Sequence, residues 1–158
     1  MNIMRVIPTR SSPSPHWTRH LLPLLLACLL AAAWGSVVQT QWNLQALLAL
    51  GVDIPASERA RATWQDLIGF APVYAGILAV GWLPALPVAA FLARRWPAWR
   101  SPLLAAAAGV GMVAAVRAID ALAPMPVFID ATRHLSGLLA MAAGAVIGGF
   151  VYARLTAR

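Results

Sequence analysis

The sequence predicts an all-α protein, an antiparallel four-helix transmembrane bundle with a short outer-surface helix between the first two spans. Three observations carry this. Hydrophobic residues fill 61% of the 158 positions and charged residues only 11%, with a mean hydropathy of +0.74, which is not a soluble composition. Four apolar segments, approximately 21–39, 67–93, 102–122 and 135–152, each approach or exceed the ~20 residues a helix needs to cross a ~30 Å hydrocarbon core. Between them lie prolines, arginines or both, the residues that punctuate helices or mark a headgroup surface. A single membrane domain over 21–158 follows from this spacing, preceded by a basic tail over 1–20.

The tail holds Arg5, Arg10 and Arg19 among Pro8, Pro13 and Pro15, so no long amphipathic element can form and a disordered cytoplasmic segment is expected. His16 and His20 have the spacing of a helical metal pair, but the prolines upstream and the lack of a third nearby ligand favour two solvated imidazoles. Leu21 to Gln39 is free of charge and roughly 28 Å long as a helix, matching a bilayer core. Its basic lead and Ala31, Ala32 and Ala33 share the layout of a cleavable signal peptide, although the long lead favours a retained span. Beyond it, Leu44, Leu47 and Leu48 follow helical spacing and Gly51 offers a stop, which predicts the surface helix. Asp53-Ile54-Pro55 then turns the chain, and Ser57 as a cap with Glu58 in the first turn opens a helix that runs into the second span.

That second span exceeds the bilayer thickness and contains Pro72, Pro84 and Pro87, each of which removes a backbone donor. Arg94-Arg95-Trp96-Pro97-Ala98-Trp99-Arg100 makes a tight turn whose tryptophans suit the headgroup belt. After the third span, Pro124 and Pro126 hold the chain extended until Asp130 or Thr132 caps the fourth helix. The chain closes on Arg154 and Arg158.

All twelve basic residues are arginine, and the net charge of +7 would suit nucleic acid if the arginines formed a stripe. They are instead scattered between apolar runs, so no nucleic-acid partner is expected. Topology explains them. With the N-terminus inside, Arg5, Arg10, Arg19, Arg94, Arg95, Arg100, Arg154 and Arg158 are cytoplasmic, and Arg59, Arg61, Arg117 and Arg133 fall in the outer half. All five acids share that outer half. The expected location is a bacterial inner membrane with both termini cytoplasmic.

Only the third span carries charge, Arg117 and Asp120. A charge within a span costs at least ~3 kcal/mol on insertion scales, so it seeks a partner or a wet surface. Asp120 lies on the same helix face as Arg117, and Asp66, Gln39, Asp130, Arg133 and His134 fall near the same membrane boundary. These seven residues form the candidate polar site, either an ion pair that locks the bundle or a place for an anionic group. A second pattern is a face of small residues, Ser136, Ala140, Gly144 and Gly148 in the fourth span with Ala107, Gly111 and Ala115 in the third, which permits close helix approach.

No phosphate-binding loop, dinucleotide fingerprint or hydrolase motif is present in the sequence, and three histidines with one cysteine are too dispersed for a metal or haem site. No cofactor is expected. Asp66 with His134 is the only general-base pairing to consider, which disfavours an enzyme. The sequence therefore points to a lipid-embedded accessory or assembly subunit that works by helix packing, with a membrane-protein partner or a homo-oligomer. The alternative is a small transporter or lipid-handling protein with an outer-interface site around Arg117.

Overall fold

The computed structural model describes residues 18–123 and 129–157. Residues 1–17 of the expected tail, His16 among them, the proline-rich segment 124–128 and Arg158 lie outside them, whereas Thr18, Arg19 and His20, expected in the disordered tail, open the first helix. Four α-helices make up the fold: α1 (Thr18–Ala49), α2 (Ala56–Arg95), α3 (Arg100–Leu122) and α4 (Leu135–Leu155), with 3-10 turns at Pro97–Trp99 and Asp130–Arg133. All four are long and apolar enough to cross a membrane. Each helix packs on its neighbours in sequence, and α4 returns to α1, so the helices close a four-membered ring with α1 diagonal to α3.

The separate surface helix between the first two spans does not form. Residues 40–49 continue α1 without a break, because no proline or glycine interrupts the chain there and the polar side chains that follow Gln39 find partners on α2 instead of water. The helix ends where the sequence places its stop. Gly51 adopts φ +82, with Gly51 N donating to Leu48 O at 3.0 Å and Val52 N to Leu47 O at 3.2 Å, the paired bonds of a Schellman cap.

Two expected caps are also replaced. Pro55, not Ser57, occupies the N-cap of α2, and Ser57 lies one residue inside the helix. At α4 the N-cap is His134 without a side-chain bond, because Asp130 pairs with Arg133 and the Thr132 hydroxyl donates to Ile129 O at 2.7 Å. Both candidate caps are consumed by the 3-10 turn. The three prolines of α2 are accommodated within one continuous helix of 40 residues.

That length, about 60 Å at 1.5 Å per residue, is twice a hydrocarbon core. The pairs Trp82 with Ala108 and Trp34 with Ala140 fix the register of the ring. By that register α1 beyond residue 41 and α2 before residue 70 extend past the other two helices. The protein is thus a four-helix section with a two-helix hairpin projecting from the side opposite the chain termini.

The core is built from aromatics seated on small residues. Trp82 of α2 is 2% exposed; its indole N–H donates to Ala108 O of α3 at 2.9 Å, and its ring tip lies over Gly148 of α4. At the rim of the bundle Trp34 of α1, 46% exposed, lies over Gly144 and donates to Ala140 O at 2.8 Å, joining α1 to α4. Tyr74 lies against Gly35, and Gly81 faces Gly111 backbone to backbone. The hydroxyl of Tyr74 is buried without a hydrogen-bond partner among the described residues.

The two buried rings make opposite predictions. Trp82→Phe removes a made hydrogen bond and ring volume and should lower unfolding free energy by about 2 kcal/mol. Tyr74→Phe removes an unpaired donor and should leave stability unchanged or higher. Denaturant titration of both variants in the same detergent checks the sign of each.

Candidate functional site

On the hairpin side, polar side chains of α1 and α2 form a ladder. Thr40 donates to Asp66 Oδ2 at 2.7 Å and lies 2.9 Å from Ser36 O. One turn further out, Gln41 donates to the Thr63 hydroxyl at 3.1 Å and accepts from the Arg59 guanidinium at 2.8 Å. Thr63 in turn donates to Arg59 O at 2.8 Å. These rungs explain why α1 and α2 remain paired past the end of the four-helix section, where apolar contact is thinner. Gln39, 8% exposed, works across a different interface, accepting from Ala131 N at 2.9 Å and so tying α1 to the 3-10 turn that precedes α4.

Arg117 and Asp120 of α3 approach to 3.8 Å, with side-chain exposures of 54% and 11%. Arg133 and Asp130 pair at 2.8 Å, both about half exposed. His134 is exposed at the start of α4. Six of the seven residues of the predicted patch thus divide among separate contacts, Arg117 with Asp120, Asp130 with Arg133, Asp66 with Thr40 and Gln39 with the backbone of Ala131, and His134 joins none of these. Neither Asp66 nor Gln39 bonds Arg117.

The predicted packing face turns largely inward. Gly144 and Gly148 are buried beneath Trp34 and Trp82, and Gly111 and Ala115 are buried against Gly81. Ala107 and Ala140 are half-buried, and Ser136 is exposed.

A residue of this network that sequence reasoning missed is Arg100. Its guanidinium donates to Ala153 O at 2.6 Å, to Thr156 O at 3.2 Å and to the Thr156 hydroxyl at 2.7 Å. These acceptors lie at the C-terminal end of α4, where unpaired carbonyls carry the negative end of the helix dipole. Reading Arg100 only as a topology signal hid this role. The available clue was its position: the first residue of one helix lies level with the last turn of its antiparallel neighbour.

Chemically the Thr40, Gln41, Gln39 and Arg100 contacts join one element to another, whereas the two ion pairs are local to α3 and to the 3-10 turn. Among the described residues no three His, Cys, Asp or Glu side chains gather closely enough to hold a metal ion. Arg100→Gln should cost about 2 kcal/mol, since it removes charge-assisted bonds to three acceptors. Arg117→Gln breaks a longer and more exposed pair and should cost less than ~1 kcal/mol. Melting temperatures of the two purified variants, compared side by side, test that order. The chain matches no family of known proteins, no curated protein and no solved structure.

Proposed function

We propose that this chain is a non-enzymatic accessory or assembly subunit of a bacterial inner-membrane system, with both termini cytoplasmic, that acts by helix packing against a membrane-protein partner. The observation that carries the reading is the projecting hairpin. Outside the four-helix section it leaves Leu47, Leu50, Val52 and Trp64 exposed, with Leu50 80% and Trp64 65% uncovered. Clustered exposed apolar groups beyond a membrane domain mark association surfaces. The placement of the termini rests on arginine count, eight on the terminal side against four on the hairpin side.

The interior supports the same reading from the other direction. Tryptophan and glycine fill space between the helices, and the polar side chains at the boundary are occupied partly in bonds between elements and partly in local pairs within α3 and the 3-10 turn. A subunit so constructed offers its outer surfaces for work. The transporter or lipid-handling alternative centred on Arg117 draws less support, because Arg117 and Asp66 bond separate partners and do not converge on one group.

A photo-crosslinking amino acid in place of Leu50 or Trp64, activated in native membranes, should give one discrete protein adduct. The same probe at Val80, which faces outward within the four-helix section, should give lipid adducts only. Adducts to lipid alone from all three positions would contradict the accessory-subunit reading.

A further inference from the structure

The outward face between α2 and α3 carries an apolar groove of about 520 Å³. Gly81, Ala85, Val88 and Leu92 form one wall, and Leu103 and Val110 stand on the other. Gly81 and Gly111 bring the two backbones together at its floor, and small side chains leave the space above them open. From residue 81 to residue 92 the groove runs about 17 Å along the helix, close to half of a ~30 Å hydrocarbon core. It covers the depth of one leaflet. A partner helix that crossed the whole bilayer would need a longer track.

The mouth of the groove supplies the second half of the argument. Leu103 also lines a hollow between Trp96 and Trp99, so the groove opens directly on the aromatic turn. By helical spacing Arg95 continues the row of Ala85, Val88 and Leu92, and Arg94 stands on the same last turn about 100° further round the helix. Both arginines are exposed and make no hydrogen bond or ion pair among the described residues, and neither indole N–H of Trp96 or Trp99 is donated there. All five Asp and Glu residues lie toward the opposite side of the bundle, so no acidic side chain competes for these cations. Two unpaired cations and two unused donors above a leaflet-deep apolar track are complementary to a phosphate headgroup with its acyl chain. A second copy of this chain docked on the same face would instead bring two arginine pairs together.

We propose that the α2–α3 groove binds an anionic glycerophospholipid of the leaflet on the terminal side, with an acyl chain along Gly81 to Leu92, the phosphate held by Arg95, and Arg94 on the same helical turn adding to the local positive charge. The test is native mass spectrometry of the purified full chain, in detergent, with dioleoyl phosphatidylglycerol and dioleoyl phosphatidylcholine supplied in equal amounts. The wild type should retain phosphatidylglycerol over phosphatidylcholine by about thirtyfold, as two juxtamembrane cations imply. R94Q/R95Q should bring that ratio close to one. Ala106→Trp, at an exposed position that lines the groove, should reduce retention of both lipids. Circular dichroism checks that each variant keeps its helices, and all three substituted side chains face outward. Equal retention of the two lipids by the wild type would overturn the proposal, as would a preference that survives R94Q/R95Q or retention indifferent to Ala106→Trp. A lipid-free dimer abolished by Ala106→Trp would overturn it too, assigning the groove to a second copy.

Discussion

Within hydrocarbon, apolar helices gain nothing by leaving lipid for one another, so a bundle must be held by close packing and by polar contacts that lipid cannot replace. In this protein tryptophan against glycine satisfies both requirements. Glycine lets an indole approach a neighbouring helix closely, and the ring N–H reaches a main-chain carbonyl across an interface. Trp34 joins α1 to α4 in this way. Trp82 joins α2 to α3 and touches α4 as well. With Gly81 on Gly111, these contacts leave the small residues committed to the interior, and the surfaces available to other molecules are those outside the ring.

The two ends of the bundle are held differently. On the terminal side Arg100 spans from the start of α3 to the last carbonyls of α4, setting a positive charge against the negative end of a helix dipole. On the hairpin side neutral and charged side chains form rungs between α1 and α2, and Gln39 attaches the turn before α4. Acids lie on that side alone, where they pair with Arg117, Arg133 and Thr40. The terminal side is left with cations in excess, which is why its aromatic turn is suited to anionic headgroups.

Much of this was legible in the chain. Hydropathy marks four helices because a span must be continuous and apolar, and the i, i+3 spacing of Arg117 and Asp120 announces their pairing. Gly51 announces the end of α1. Other features depend on register between helices, which one sequence does not encode locally. The stripe of Gly144 and Gly148 identifies a face that another group can approach closely, but not that Trp34 and Trp82 lie on it. Asp66 falls near the boundary where Arg117 also lies, yet its bond is to Thr40, because α2 packs on α1 at that level. The polar run Gln39-Thr40-Gln41 looks like the exit of a helix into water; it continues as helix because α2 extends equally far and supplies partners.

The central claim is that close backbone approach at chosen glycines holds the ring together, and two alanine substitutions on the same helix test it. Gly76 has open space where a Cβ would be, whereas at Gly81 that Cβ would meet the carbonyl of Gly111. Both changes remove the helix cost of glycine, worth about 1 kcal/mol. Unfolding measured under identical conditions should show Gly76→Ala at least as stable as the parent and Gly81→Ala clearly less stable. If Gly81→Ala were stabilised as much as Gly76→Ala, α2 and α3 would not meet at that point and the account of the bundle would be wrong.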